Sequence, residues 1–144
     1  MSLAEADMSQ VASEFISALN DADWDRVRAL IAPDLSYAEN GTRRRADSAD
    51  AYLEIAKSTK AAFPDFTGTI EATATNEDTV VQRIVWEGTH TGVLNTPAGP
   101  VQPSGNRVHV VSSAWSRFEG DTIREIQFHI DALSLREQIG ATTS

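Results

Sequence analysis

The sequence has no cysteine, only three histidines and no long hydrophobic run. Without cysteine, no disulfide can form and no thiolate can serve as a nucleophile or a metal ligand. No apolar run approaches the roughly 20 residues that a membrane-spanning helix needs, so a membrane protein is not expected. His90, His109 and His129 are far apart and lack the spacing of a metal site, so a bound metal is not expected either.

Basic residues are also scarce. The chain carries 12 Lys and Arg against 21 Asp and Glu, a formal net charge of -9. Such a surface repels phosphate backbones, and the one basic cluster, Arg43-Arg44-Arg45, is too small to offset it, so nucleic acid is not an expected partner. This cluster is either a solvated segment or a rim that attracts an anionic substrate. Glycine-rich phosphate-binding patterns are absent as well, which disfavours a nucleotide cofactor.

The remaining composition is that of an ordinary globular domain. The chain has 144 residues, 41% of them hydrophobic, with no break in composition, and this predicts one domain over residues 1–144. The first ten residues are acidic and contain neither the basic nor the apolar region of a secretory signal. A cytoplasmic location is therefore expected.

The pattern of apolar residues changes from helical to extended near residue 66. Helical spacing predicts three helices, and a short strand follows the second of them: helices near 11–19, 24–31 and 51–63, strand 35–38. β-Branched and aromatic runs then predict four strands: 67–75, 79–89, 107–118 and 122–131. Helices first and antiparallel strands after them indicate an α+β fold, with a cavity between the concave face of a curved sheet and the helices. Segment 91–106, rich in Gly, Pro and Asn, is predicted to be a functional loop such as a lid.

The last two predicted strands form a hairpin whose register decides which residues face the cavity. If Gly120-Asp121 is a two-residue turn, Glu119 pairs with Thr122. Because side chains alternate along a strand, three polar residues then share one face with small or aliphatic partners. These pairs are Gln127 with Ala114, His129 with Ser112, and Asp131 with Val110.

Two interpretations of this polar face remain open. It either points to water, or it lines the cavity while the bulky face packs on another subunit. In the second case a poorly solvated Asp131 is suited to act as a general base, and a neutral His129 could polarise a carbonyl group. A β-bulge would move residues between the two faces.

Several motifs resemble those of one known family. Residues 86–92 read W-x-G-T-H-T-G, and residues 103–105 read P-S-G. Further matches are "AFPDF" at 62–66, "RFEGDTIREI" at 117–126 and "DALSLREQIG" at 131–140. Together they resemble the SnoaL-like polyketide cyclases, a branch of the nuclear-transport-factor-2-like superfamily.

This resemblance implies a fold and an activity. The implied fold has three N-terminal helices on a strongly curved antiparallel sheet, a cone-shaped half-barrel with an internal pocket and a short C-terminal helix. The family is usually dimeric through its sheet. Its cyclases close the last ring of an anthracycline precursor by an intramolecular aldol condensation of a hydrophobic substrate, without metal or cofactor. Asp131 matches the aspartate that acts as the base, with His129 assisting it.

Further residues are expected to bind the substrate, and other functions stay open. The expected substrate-binding residues are Gln127, His90, Trp86, Ser112, Ala114, Tyr37 and Asn40. For His90 the alternative is a structural hydrogen bond at the end of its strand, and His109 is expected to be structural. The alternative functions are a cofactor-independent hydroxylase of an anthracycline-type polyketide and a non-catalytic binding or dimerisation module.

Overall fold

The computed structural model describes residues 4–140 of the chain. It contains four helices, α1 (Glu5–Asn20), α2 (Trp24–Leu30), α3 (Ala49–Ala62) and α4 (Ala132–Gln138). Its strands are β1 (Ile31–Asn40), β2 (Arg44–Ala46), β3 (Thr67–Asn76), β4 (Thr79–Thr89), β5 (Leu94–Thr96), β6 (Gly99–Val101), β7 (Arg107–Glu119) and β8 (Thr122–Ile130). Side-chain caps define three of the helix starts, because Asp23 accepts from Arg26 N, Ser48 accepts from Ala51 N and Asp131 accepts from Ser134 N.

Six strands form one curved sheet in the order β2-β1-β8-β7-β4-β3. Helix α1 contacts β3 and β4, and α3 contacts β1 and β2, so helices cover one face of the sheet. The α+β fold with a curved sheet and a short C-terminal helix is thereby confirmed. The sheet is mixed rather than antiparallel, since β1 runs parallel to β8. These two strands are far apart in sequence, so no hairpin turn forces them to be antiparallel.

Three regions contain more strand than the sequence predicts, and one of them is the arginine run, part of which forms β2. Strand β1 runs through Pro33, and its pairing with β8 is irregular between Ile31 and Ser36, where a proline without an N–H group is tolerated. The predicted loop 91–106 contains the small hairpin β5–β6, closed by a hydrogen bond from Thr96 Oγ1 to Gly99 O of 2.6 Å.

The hairpin β7–β8 contains a β-bulge that changes the predicted register. Glu119 pairs with Thr122 as predicted, but further along Arg117 pairs with Glu125, which leaves Arg124 as an extra residue. Beyond the bulge every pair is shifted by one residue. The predicted pairs of Gln127 with Ala114 and of His129 with Ser112 are therefore wrong: Gln127 pairs with Trp115, His129 with Ser113 and Phe128 with Ala114.

The shift turns the apolar face of β8 toward the helices. Ile126 is buried in the core, and the partly buried side chains of Phe128 and Ile130 pack against the core. Opposite them on β7, the small residues Ser112, Ala114 and Ser116 are buried on the same concave face. Among the described residues, none of the helices is long and apolar enough to cross a membrane.

Candidate active site

A large cavity lies between the concave face of the sheet and the helices, with a volume of about 840 Å³. The hairpin β5–β6 contributes all its residues from Leu94 to Val101 to the wall. The other walls are rich in aromatic rings: Phe15, Trp24, Tyr37, Tyr52, Phe63, Phe66, Trp86 and Phe128. A largely apolar cavity of this size is typical of a site for a drug-sized hydrophobic molecule.

One wall of the cavity carries a buried polar cluster centred on Glu39, whose exposed fraction is 3%. Arg44 donates to both carboxylate oxygens, from Nε to Oε1 at 2.8 Å and from Nη2 to Oε2 at 3.0 Å. The hydroxyl of Thr42 donates to Oε1 at 2.6 Å, and the phenol of Tyr37 donates to Oε2. Arg44 Nη1 also donates to Thr59 Oγ1 at 2.9 Å, which ties the cluster to α3.

The electrostatics of this cluster keep the tyrosines neutral and the arginine charged. Burial, together with the negative charge of Glu39, raises the pKa of Tyr37 well above its ordinary value. The pKa of nearby Tyr52 is raised for the same two reasons. Burial disfavours the charge of Arg44, but the charge and hydrogen bonds of Glu39 outweigh it and raise the pKa of Arg44. The cluster is thus a buried ion pair whose carboxylate is saturated with donors.

Trp86 and its neighbours form the opposite wall. The indole Nε1 donates to Ser112 Oγ at 3.0 Å, and this hydroxyl donates in turn to Ile84 O at 2.9 Å. Ser112 therefore holds the indole from behind rather than lining the cavity, whereas Trp86 and Ala114 do line it. Gly68 makes room for the indole, because a Cβ at this position would lie 2.7 Å from the Trp86 ring.

The W-x-G-T-H-T-G segment holds the end of β4 against the end of α3 through hydrogen bonds and close packing. Thr89 donates to the Asp65 carboxylate from its backbone N at 2.7 Å and from its hydroxyl at 2.9 Å, and these bonds lower the pKa of Asp65. Gly92 approaches α3 so closely that a Cβ would lie 2.1 Å from Ala61 O. This segment is therefore explained by packing and hydrogen bonding.

His90 is fully buried behind the cavity wall and stacks on Phe63. Its Nδ1 accepts from Ser104 N at 3.1 Å and lies 3.0 Å from Ser104 Oγ. Burial lowers the pKa of His90, which favours the neutral ring that this acceptor role requires. Ser104 belongs to the P-S-G segment, so His90 holds the loop between β6 and β7 that follows the β5–β6 hairpin. The structural alternative for His90 fits these contacts, and its ring is not part of the cavity wall.

The end of β8 is placed differently from the prediction. His129 and Gln127 lie on the outer face of the sheet, beside a shallow depression that also includes Trp115. Asn40 is exposed there too, and its Nδ2 donates to Gln127 Oε1 at 3.2 Å. The predicted cavity-facing positions of His129 and Gln127 are wrong, because the Arg124 bulge exchanges the two faces of β8. The predicted position of Asn40 is wrong for a simpler reason: it follows Glu39 on β1, and neighbouring residues of a strand point to opposite faces.

Asp131 is exposed, so the prediction that it is poorly solvated on the concave side is also wrong. Its carboxylate caps α4, where Oδ1 accepts from Ser134 N at 3.0 Å. Its two neighbours, Ile130 and Ala132, nevertheless line the cavity. Asp131 therefore stands beside the cavity wall with its carboxylate engaged elsewhere.

The third histidine, His109, has a structural position, and the described residues contain no metal-binding group. His109 is exposed, and both its backbone groups are bound by the side chain of Gln138, at 2.6 Å and 2.9 Å. Within residues 4–140, His, Asp and Glu nowhere gather in a group of three that could hold a metal ion.

Of the predicted site residues, Trp86, Ala114 and Tyr37 do line the cavity. The sequence reasoning missed Glu39 and Arg44. One signal could have found them. Glu39 comes two residues after Tyr37 and so lies on the same face of the strand, and the arginine run follows immediately after the turn. An acidic residue on an otherwise apolar face, followed closely by arginines, indicates a buried ion pair.

An α+β fold of this kind with an aromatic-walled cavity defines a class of small-molecule-binding domains. The sequence model of the SnoaL-like polyketide cyclases matches residues 9–139. The chain belongs to this family. Among curated proteins, none matches the chain significantly.

Solved structures include several similar folds. IdmH, a candidate polyketide cyclase from Streptomyces antibioticus, is 27% identical with a TM-score of 0.77, over 92% of this chain and 98% of that chain. AclR, a candidate hydroxylase from Streptomyces galilaeus, is 23% identical with a TM-score of 0.81, over 98% of this chain and 89% of that chain. A candidate SnoaL-like polyketide cyclase from Jannaschia sp. CCS1 is 17% identical with a TM-score of 0.85, over 99% and 98% of the two chains. The last two show the shared fold alone.

Proposed function

We propose that this protein is a cofactor-independent polyketide cyclase that closes a ring of an aromatic polyketide by intramolecular aldol condensation. The observation that carries this proposal is the cavity of about 840 Å³, with aromatic walls and a buried polar cluster around Glu39. The apolar walls suit a flat polycyclic molecule, and the polar cluster suits its carbonyl oxygens. Membership of the SnoaL-like family supports the same reaction class.

In this reaction a base removes a proton from a carbon between carbonyl groups, and the resulting enolate attacks a second carbonyl carbon. The new C–C bond leaves an alkoxide, which takes up a proton. Arg44 is suited to stabilise both anions, because its guanidinium has five N–H groups and three of its bonds are those to Glu39 and Thr59. In this proposal Glu39 and Tyr37 hold the guanidinium in place.

The proposed base is Asp131, as the family resemblance implies. Its position supports this role, because both Ile130 and Ala132 line the cavity. To act, the carboxylate has to release Ser134 N and turn toward the substrate. The assisting role predicted for His129 stays a prediction without such support, because that side chain is exposed on the outer face.

The test is turnover of an aromatic polyketide that contains a 1,3-dicarbonyl group, followed by mass spectrometry and chromatography of the cyclised product. Asp131→Asn keeps the size of the side chain and an oxygen that can cap α4, but removes its basicity. We expect a loss of about 100-fold or more in the rate. The matched control is Asp121→Asn in the exposed β7–β8 turn, which should keep the full rate. Undiminished turnover by Asp131→Asn would remove this residue from the mechanism.

Hydroxylation of an anthracycline-type polyketide is the second candidate. The observation that favours it is the likeness to AclR over 98% of this chain. Hydroxylation incorporates an oxygen atom, whereas the aldol reaction does not. A product that gains 16 mass units, and that forms only when dioxygen is supplied together with a reductant that converts its second oxygen atom to water, would select hydroxylation. Binding of the substrate without conversion would select a non-catalytic module.

We also propose that the protein forms a homodimer through the outer face of its sheet. This face exposes two large apolar side chains on β7, Val111 at 36% and Trp115 at 47%. Light scattering at micromolar concentration is expected to give twice the chain mass, and Trp115→Glu should give the monomer mass. A monomer mass for the unmodified protein would reject the dimer.

A further inference from the structure

The charges around the cavity are opposite in sign to those of the whole chain. The chain carries 21 acidic residues against 12 basic ones. Among the described residues that line the cavity, the balance is reversed: the cations are Arg43, Arg44, Lys60 and Arg136, and the one carboxylate is Glu39.

Two of these cations are already engaged inside the wall. Arg44 neutralises Glu39, the only acidic group of the lining. Lys60 Nζ donates to Asn20 O at 3.1 Å and to Phe66 O at 2.7 Å, so it binds together the segments around it. Burial lowers the pKa of Lys60.

The other two cations, Arg43 and Arg136, are exposed, and among residues 4–140 neither has a side-chain ion pair or hydrogen bond. They lie on segments that meet, since Gly41 abuts the start of α4. A Cβ on Gly41 would lie 2.6 Å from Ile130 O and 3.3 Å from Ala132 Cβ. The facing part of the wall, residues 91–106, contains no charged residue.

We propose that Arg43 and Arg136 form an anion-recognition site at the cavity rim, and that the substrate is an aromatic polyketide bearing a carboxylate. A protein with a net charge of -9 repels such a molecule at long range, so capture requires local cations. Arginine suits this task, since its planar guanidinium binds a carboxylate through two parallel hydrogen bonds. The inference rests on the proposed use of the cavity for an aromatic substrate and adds the charge of that substrate.

The test compares anthraquinone-2-carboxylate with the uncharged anthraquinone-2-carboxamide by isothermal titration calorimetry. We expect the carboxylate to bind about tenfold more tightly, as two partly solvated ion pairs would provide. Raising the ionic strength from about 0.02 M to about 0.5 M should reduce this preference, because salt screens exposed charges.

The decisive variant is the double substitution Arg43→Gln and Arg136→Gln, which should abolish the preference and leave carboxamide binding unchanged. The matched control is Arg45→Gln, an exposed member of the same arginine run that is not part of the cavity wall. It should keep the full preference.

The outcomes separate this inference from the proposed function. Equal binding of the two ligands, or a preference that survives the double substitution, overturns the anion site and leaves the aromatic cavity in place. Binding of neither ligand overturns both the anion site and the use of the cavity for polycyclic aromatics.

Discussion

The carboxylates of Glu39 and Asp131 lie at the ends of the adjacent parallel strands β1 and β8, and their surroundings are opposite. Glu39 is buried on the cavity side and accepts four hydrogen bonds, whereas Asp131 is exposed and caps a helix. Both follow aromatic or apolar residues at the end of a strand. The difference arises from the strand face on which each residue falls, and one bulge residue, Arg124, decides this for β8. Residue type alone therefore does not identify the functional carboxylate.

The largest effect on the free energy of unfolding is expected from deletion of Arg124. This deletion removes the bulge and imposes the register expected of an uninterrupted hairpin. Ile126, Phe128 and Ile130 would then leave the core, and Gln127 and His129 would enter it. Each lost apolar side chain costs about 1.5–3 kcal/mol, together comparable with the roughly 5–15 kcal/mol that stabilises a domain. We expect no cooperative unfolding transition in urea, measured by circular dichroism.

The control for this deletion is Arg124→Ala, which keeps the extra residue. It removes the ion pair with Asp34, where Nη2 and Oδ2 are 3.2 Å apart, and the hydrogen bond from Arg124 Nη1 to Asp34 O at 2.8 Å. A loss of at most about 1 kcal/mol is expected. If the deletion variant unfolded cooperatively at the same urea concentration as this control, the bulge would not determine the face of β8.

A smaller but still large effect is expected when the ion pair on the cavity wall is broken. Arg44→Met leaves the Glu39 carboxylate buried without its cation, which should cost about 3–5 kcal/mol in the free energy of unfolding. Adding Glu39→Gln to this variant should recover part of the loss, because the unpaired charge is gone. Arg45→Met, next in the sequence and exposed, should change the free energy by less than about 0.5 kcal/mol. Equal losses for the two arginines would contradict the buried pair.

The smallest effect on the free energy of unfolding is expected at the exposed carboxylate of Asp131. Asp131→Ala removes the cap of α4 and should cost about 1 kcal/mol, whereas Asp131→Asn can keep the cap and should cost a few tenths. Urea denaturation of the two variants gives this difference directly. A loss for Asp131→Ala as large as that for Arg44→Met would show that Asp131 is more buried than its contacts indicate.

The fold was predictable because its signals are local. Periodicity and turn residues located the three N-terminal helices and the four long strands after residue 66, and the motifs from Trp86 to Gly140 indicated the family. Of the ten-residue strand β1 they located only residues 35–38. The alternation of residues along β8 left two interpretations open, and the structure has the one in which the polar face points to water. The pairing register of β8 was not predictable, since nothing in the residues 122–131 marks Arg124 as unpaired. The cluster of Glu39 and Arg44 was not predicted for a related reason: it forms only when the turn at residues 41–43 brings β2 back beside β1.

The three tryptophans divide between the two sides of the sheet, and this gives the protein built-in optical reporters. Trp24 and Trp86 border the cavity, whereas Trp115 lies on the outer face. A polycyclic ligand that absorbs near the indole emission band should quench the first two by energy transfer. Association of the outer faces should shift the emission of the third to shorter wavelength. In a Trp115→Phe variant, the remaining emission would report on occupancy of the cavity alone.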